Sequence, residues 1–184
     1  AMVSNGIDNQ TDNNSAKGFG GQVSWTPANN IALYFNYFGT AEDQAGDTNN
    51  TDELRNFYDV VADIGVCESV SLNLNFVYGS EDNARGANLD AEWWGFSGIV
   101  RYDVNEWFSL NVRGQVFDDK DGVRTGSNSA PTIQQLSAFT ITPEIRVNNN
   151  MVVRAEYRHD ESDANPFTDE NGNADDSQDT VALN

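Results

Sequence analysis

The chain has 184 residues, 29 of them acidic and 10 basic, for a net charge of −19, and 11% of its residues are aromatic. The length suffices for one domain with a substantial core. So acidic a chain excludes nucleic acid as a partner, because phosphate binding needs a basic surface, and rings that recur at regular places argue against the disorder such charge could otherwise signal.

Taken in order, the chain reads as a succession of strands. Residues 17–26 set Phe19, Val23 and Trp25 against Gln22 and Ser24. Residues 31–40 set Ile31, Leu33, Phe35 and Tyr37 against Ala32, Tyr34 and Asn36, and residues 54–66 set Tyr58, Val60, Ala62 and Ile64 against Asp59, Val61 and Asp63. Leu72, Leu74, Phe76 and Tyr78 alternate with Ser71, Asn73, Asn75 and Val77. Residues 91–104 carry Trp94, Phe96, Val100 and Tyr102 against Ser97, Ile99 and Arg101. Phe108, Leu110, Val112 and Val116 then alternate with Ser109, Asn111, Arg113 and Gln115. Phe139, Ile141, Ile145 and Val147 alternate with Ala138, Thr140, Thr142, Glu144 and Arg146, and Met151, Val153, Ala155 and Tyr157 with Val152, Arg154, Glu156 and Arg158. Period-2 alternation means strands with one apolar and one polar face. Eight complete strands are expected, with residues 1–5 and 177–184 as two partial ones and no substantial helix.

The connections are of two kinds and alternate. The short ones, Pro27-Ala28-Asn29-Asn30, Cys67-Glu68, Asn105-Glu106 and Asn148-Asn149-Asn150, have hairpin lengths and turn-forming residues. The long ones are residues 6–16, 41–53, 80–90, 118–132 and 160–176. Segments 6–16, 41–53, 80–90, 118–132 and 160–179 hold 21 of the 29 acidic residues. The negative charge is therefore expected on one rim.

A soluble sandwich also alternates, so strand length and connection asymmetry decide between architectures. Strands of about 10–14 residues exceed the usual 5–6 of soluble sheets and suit a tilted crossing of a bilayer. Short turns at one end and long loops at the other are the outer-membrane pattern. Aromatics on the apolar register cluster near strand ends: Trp25, Tyr102 and Phe108 beside short turns, Tyr37, Tyr78, Trp94 and Tyr157 toward the long loops. That placement suggests two interfacial girdles. No stretch approaches the 18 apolar residues of a membrane helix, which leaves a barrel open. Ala1-Met2-Val3-Ser4 lacks the basic start and apolar run of a signal peptide, so a signal for export is expected upstream or already removed. The expected fold is all-β, an antiparallel up-and-down transmembrane barrel, with residues 1–184 a single domain and a fragment of a longer barrel.

If the apolar face meets lipid, the polar face lines a lumen. Its expected inward-facing set is Asp59, Asp63, Asn73, Asn75, Arg101, Arg113, Gln115, Glu144, Arg146, Arg154, Glu156 and Arg158. Opposed acidic and basic rows would set a transverse field that biases ion passage. Glu144, Arg146, Arg154 and Glu156 could equally form a salt-bridge ladder across adjacent strands that fills the interior. Lone His159 lies on the apolar register at an outer strand end, and no Ser/His/Asp set assembles, so no catalytic residue is assigned and no enzyme is expected. Lone Cys67 has no Cys or His neighbour at metal-ligand spacing and reads as a turn residue. The acidic runs at 118–122 and 169–173 do not have EF-hand spacing and read as solvated loops. No metal or cofactor is expected.

Several segments also resemble a known family. Asn5-Gly6-Ile7-Asp8 followed by Asp12-Asn13-Asn14-Ser15-Ala16-Lys17 resembles an NGWD…DNN-x-K segment of the OmpL-like β-barrel porins. Trp93-Trp94-Gly95-Phe96, Arg101-Tyr102, then Arg113-Gly114-Gln115-Val116-Phe117-Asp118-Asp119 and Gly122 are similar to that family's WWG…RY…R-x-E-x-F-x-D-x-x-G stretch. Arg154-Ala155-Glu156-Tyr157-Arg158-His159-Asp160 with Phe167 resembles its R-x-E-Y-R-x-D…F ending. Ile7 replaces the usual Trp, and Gln115 a Glu, which removes a lumen charge. Val181-Ala182-Leu183-Asn184 lacks the terminal aromatic strand usual in outer-membrane proteins. The resemblance implies a Gram-negative outer-membrane channel for small solutes or ions, without catalysis. Its expected surroundings are the lipid bilayer, with long acidic loops outside and short turns periplasmic. Porins are often trimers, yet nothing in the chain marks a subunit interface. A structural barrel, an anchor or a sheath around a partner such as an electron-carrying cytochrome, is the competing expectation, and a soluble sandwich-type binding module the third.

Overall fold

The computed structural model describes residues 1–7, 16–41, 54–85, 89–125 and 134–184. Parts of the expected acidic loops, and Asp8 to Ser15 of the resemblance, lie outside the described residues. The elements are β1 (Met2–Ser4), β2 (Gly18–Ala28), β3 (Ile31–Ala41), β4 (Leu54–Cys67), β5 (Val70–Glu81), β6 (Ala91–Asp103), β7 (Phe108–Asp119), β8 (Gln134–Asn148), β9 (Met151–Ser162), β10 (Phe167–Thr168), β11 (Ala174–Asp175) and β12 (Ser177–Leu183). Ten of them make one sheet in the order β1-β2-β3-β4-β5-β6-β7-β8-β9-β12. Each strand pairs antiparallel with its neighbours. This is the expected up-and-down meander: eight long strands flanked by two short ones, all strand and no helix among the described residues.

Strands β2 to β9 run for 11–15 residues. Twelve residues at about 3.3 Å each, tilted by about 40°, rise about 30 Å, the thickness of a hydrocarbon core. The register carries the two faces across the whole sheet. Leu33, Ala62, Leu74, Gly98 and Gly114 stand level on one face. Asn36 stands opposite Asp59, Asn75 opposite Ser97 and Gln115 opposite Ala138 on the other.

Burial is reversed from that of a soluble sheet. Phe35, Phe76, Phe96 and Phe139 on the apolar face are 42–48% exposed, whereas Glu81, Ser109, Thr140, Glu144 and Asp160 on the polar face are buried. Soluble folds bury large apolar groups and leave acids outside. Side chains crowd on the inner side of a curled sheet and splay on the outer side, and here the polar face is the crowded one. Toward the long-loop ends, Tyr37, Tyr58, Tyr78 and Trp94 form one level row on the apolar face. The ring centroids of Tyr37 and Tyr58 are 5.2 Å apart, and those of Tyr58 and Tyr78 6.2 Å. Amphipathic rings so aligned suit a membrane interface.

The turns differ from expectation in detail. Asn29-Asn30, Glu68-Ser69 and Asn149-Asn150 make the tight turns. Pro27 lies inside β2, at a register irregularity between Trp25 and Ala28, the kind of place where a sheet tolerates proline. Cys67 ends β4 rather than lying in the turn. At the bend between β6 and β7, Asn105 Oδ1 accepts from Trp107 N at 3.0 Å and Phe108 N at 2.9 Å, an Asx-type arrangement that makes Asn favourable there.

The segment after β9, expected as an irregular loop, contains a small hairpin of β10 and β11. Gly172 supplies the left-handed backbone at its tip, with φ of 84°. Asp169 Oδ1 accepts from Asn171 N at 2.9 Å and Asn173 N at 2.7 Å, and Oδ2 from Asn173 Nδ2 at 3.0 Å. The Asn173 side chain, then the Asn173 and Asn171 amides, hold the Asp169 carboxyl below the usual carboxylate range. A lowered folded pKa means the tip is favoured above the ordinary aspartate value and loses that contribution as pH falls through the folded one. The Asn171 and Asn173 amide resonances should therefore shift together below about pH 3.9; a titration at or above that value would contradict the arrangement.

Candidate functional site

The expected inward-facing residues all fall on the polar register, and the structure divides them into two groups. On β2 to β5 the middle of the face is built from amides and carboxylates. Gln22 Nε2 donates to Asn36 Oδ1 at 2.7 Å, Asn36 Nδ2 to Asp59 Oδ2 at 2.6 Å, and Asn75 Nδ2 to the other Asp59 oxygen. Asn73 Nδ2 donates to Asp63 Oδ1 at 2.6 Å. Alternation presents these side chains at one level on neighbouring strands, where opposite residues approach closely enough to bond. No described cation lies within ion-pair distance of Asp59 or Asp63, so their charge is met by amide N–H groups alone. A cleft of about 640 Å³ lies beside Asp63, lined also by Asn73, Ile99, Arg101 and Asn111 among others.

On β6 to β9 the face is built from arginines. Buried Glu144 holds two of them: Arg101 Nη2 at 3.1 Å and Arg154 Nε at 2.7 Å. Arg101 also donates to Ser109 Oγ at 2.7 Å and to Asp103 Oδ1 at 2.9 Å. Arg158 Nε donates to Asp160 at 2.8 and 2.9 Å. Among the described residues Arg113 reaches only Thr140 Oγ1, at 3.5 Å, and its Nε is buried without an acceptor. Gln115 stands between Ser97 and Ala138.

The expected ladder of Glu144, Arg146, Arg154 and Glu156 forms only in part. Glu144 is opposite Arg154 in the register and pairs with it, but Arg146 faces Val152. Arg146 instead borders a cleft at the turn end with Arg101, Asp103 and Trp107. Glu156 accepts from Thr142 Oγ1 at 3.1 Å and, among the described residues, pairs with no arginine. The second partner of Glu144, Arg101, lies two strands away, a relation that needs the register of β6, β7 and β8 together.

At the long-loop end the polar face turns aromatic, a feature the alternation conceals. Phe38, Phe57, Trp93 and Phe117 occupy polar-register positions there. Trp93 is 3% exposed, its ring 5.7 Å from that of Phe57. It lies across Gly79, where an added Cβ would fall within the indole. Asp119, fully buried, accepts from Val123 N at 3.2 Å, Arg124 N at 2.8 Å, and Thr125 N and Oγ1 at 2.7 and 2.8 Å. The segment after β7 is thereby folded inward, and the Arg124 guanidinium sits 5.2 Å over the Trp93 ring. Asp121 ties the same segment to Arg85 at 3.2 Å and to Glu92 N at 2.8 Å. The sequence does hold one signal for this cluster: glycines at 79 and 95 opposite large rings. His159, on the apolar face, pairs with Asp179 across β9 and β12, Nδ1 to Oδ1 2.9 Å.

An apolar face that leaves large side chains exposed along eight membrane-length strands, and a polar face that holds the buried acids, define the wall of an outer-membrane β-barrel. The chain belongs to the OmpL-like β-barrel porins: the family model described as "Putative beta-barrel porin-2, OmpL-like" matches residues 1–184. Membership gives it a porin-like role in the outer membrane. No curated protein and no solved structure matches this chain.

Glu144 joins β6, β8 and β9 through two cations, so it is the side chain whose loss the wall should feel most. Glu144→Gln leaves Arg101 and Arg154 facing a neutral amide. Solvent around Arg154, 53% exposed, reduces the full cost of breaking a buried pair, leaving about 1–3 kcal/mol. Urea unfolding of the membrane-inserted protein measures this, and an unchanged midpoint would show that the arginines do not depend on Glu144.

Proposed function

We propose that this protein forms a passive channel through which small hydrophilic solutes or ions diffuse across the outer membrane, without a chemical step. The observation that carries the reading is the polar face: a continuous surface of carboxylates, amides, hydroxyls and arginines on strands whose other face is apolar. Family membership supports it at the level of a porin-like role. Asp59, Asp63, Asn73, Asn75, Arg101, Arg113, Gln115, Glu144, Arg146, Arg154, Glu156 and Arg158 are its wall. Acids without cations on β4 and arginines on β6 to β9 set a field across the lumen, and such rings of charge bias ion passage.

In this reading the long acidic connections are extracellular and the turns near Asn30, Cys67, Asn105 and Asn149 are periplasmic. The charge in the long connections raises the local cation concentration at the mouth. Salt screens that effect over roughly 8–10 Å at 0.1–0.15 M. The ion pairs of Glu144 with Arg101 and Arg154 favour a second reading, a structural barrel whose interior is closed by its own side chains.

Planar-bilayer recording of the purified full-length protein separates the two. A channel gives discrete current steps, with cation preference stronger at 0.1 M than at 1 M salt. A complete lack of current would sink the channel reading and leave the structural barrel.

A further inference from the structure

Arg113 and Glu156, opposite charges on the arginine half of the polar face, make no ion pair among the described residues, and they border the same cleft. Its volume is about 240 Å³, and its lining includes Arg113, Thr140, Thr142 and Glu156. At about 30 Å³ per water that is room for roughly eight waters, and so for a solute of few heavy atoms. The other charges of the lining are already matched, Glu144 by Arg101 and Arg154. On β9 the cations two residues either side of Glu156 are already engaged, Arg154 by Glu144 and Arg158 by Asp160.

Among the described residues Arg113 on β7 has no carboxylate within ion-pair distance, a long contact of 3.5 Å to Thr140 Oγ1, and a buried Nε without an acceptor. Among the described residues Glu156 on β9 takes one hydrogen bond, from the Thr142 hydroxyl at 3.1 Å on one oxygen. Thr140 stands opposite Arg113 in the register, and Thr142, one step along the same face of β8, bonds Glu156, so two hydroxyls form the floor between the charges. The backbones of β7 and β9 are about 10 Å apart, two strand spacings. Both charged side chains are long enough to close on a solute seated between them.

We infer that Arg113 and Glu156 form a subsite for a small zwitterion of the α-amino-acid type. Its carboxylate lies on the Arg113 guanidinium, its ammonium on the Glu156 carboxylate, and Thr140 and Thr142 offer hydroxyls beneath. A planar guanidinium donates to a carboxylate in paired bonds, and the free oxygen of Glu156 accepts from an ammonium. A solute with one charge satisfies one arm and leaves the other desolvated without a partner, which disfavours it. The inference rests on the channel reading, since it names a solute class for that lumen.

The test uses the full chain in detergent micelles and in bilayers, with alanine, acetate and methylammonium as probes. Alanine should shift the Arg113 Nε–H resonance saturably, and more tightly than acetate does. Glu156→Gln should weaken alanine about tenfold and leave acetate unchanged. Acetate as tight as alanine on the unaltered protein would overturn the zwitterion assignment, and that comparison needs no variant to fold. A silent Arg113 resonance alongside a KCl current would overturn the subsite and leave the channel. A saturable alanine shift without any current would overturn the channel and leave the subsite.

Discussion

Inside a bilayer no water can accept or donate a hydrogen bond, so every backbone N–H and C=O that crosses it must find a partner in the protein. That constraint fixes most of what is seen here. It requires long neighbouring strands in continuous register, and β2 to β9 supply them. It also decides where irregularity is tolerated. The three register shifts fall between Trp25 and Ala28, Gly65 and Cys67, and Arg146 and Asn148. All three are at the short-turn end, where the chain leaves the hydrocarbon. Among the described residues the interior interruption is at Pro143 in β8, where pairing with β9 lapses between Ile141 and Glu144 while pairing with β7 continues through Leu110.

A sheet so paired has only its side chains left to distinguish its two surroundings. One face is given to lipid and gains nothing from internal packing, so its Phe, Leu and Val side chains remain exposed within the chain. The other face must satisfy its polar groups among themselves or with water. On β2 to β5 amides do this for Asp59 and Asp63. On β6 to β9 Glu144 does it for two arginines. The charge on this face is thus largely matched within the wall, while most of the net −19 resides in the long connections. Arg113 and Glu156 differ from Glu144 in being opposite charges that border one cleft without an ion pair among the described residues, whereas Glu144 is already held by two arginines.

The alternation made the fold legible, because a period of two is local and each strand declares its faces without reference to its neighbours. The strands, their order, the two partial ends and the polar register of the wall residues all followed from it. What required two or three strands at once did not. Arg101 meets Glu144 across β7, and Glu156 turns to Thr142 instead of joining Arg146 and Arg154, because register and not sequence spacing sets the partners. Trp93 was hidden for a different reason. A large ring on the polar register reads as noise in an alternating pattern, and its place is explained only by Gly79 beneath it and Arg124 above. The inward fold of the segment after Asp119 was likewise hidden. Asp119 resembles a solvated loop acid until its carboxylate is seen gathering the amides of Arg124 and Thr125.

The central claim is that one face of this sheet meets lipid and the other meets water. Single cysteines placed in turn at positions 71 to 78 of β5, with Cys67→Ser removing the native thiol, test it most directly in the membrane-inserted protein. Labelling by a water-soluble maleimide should alternate with period two, strong at Ser71, Asn73, Asn75 and Val77 and weak at Leu72, Leu74, Phe76 and Tyr78. Uniform labelling, or strong labelling at the leucine positions, would contradict the account.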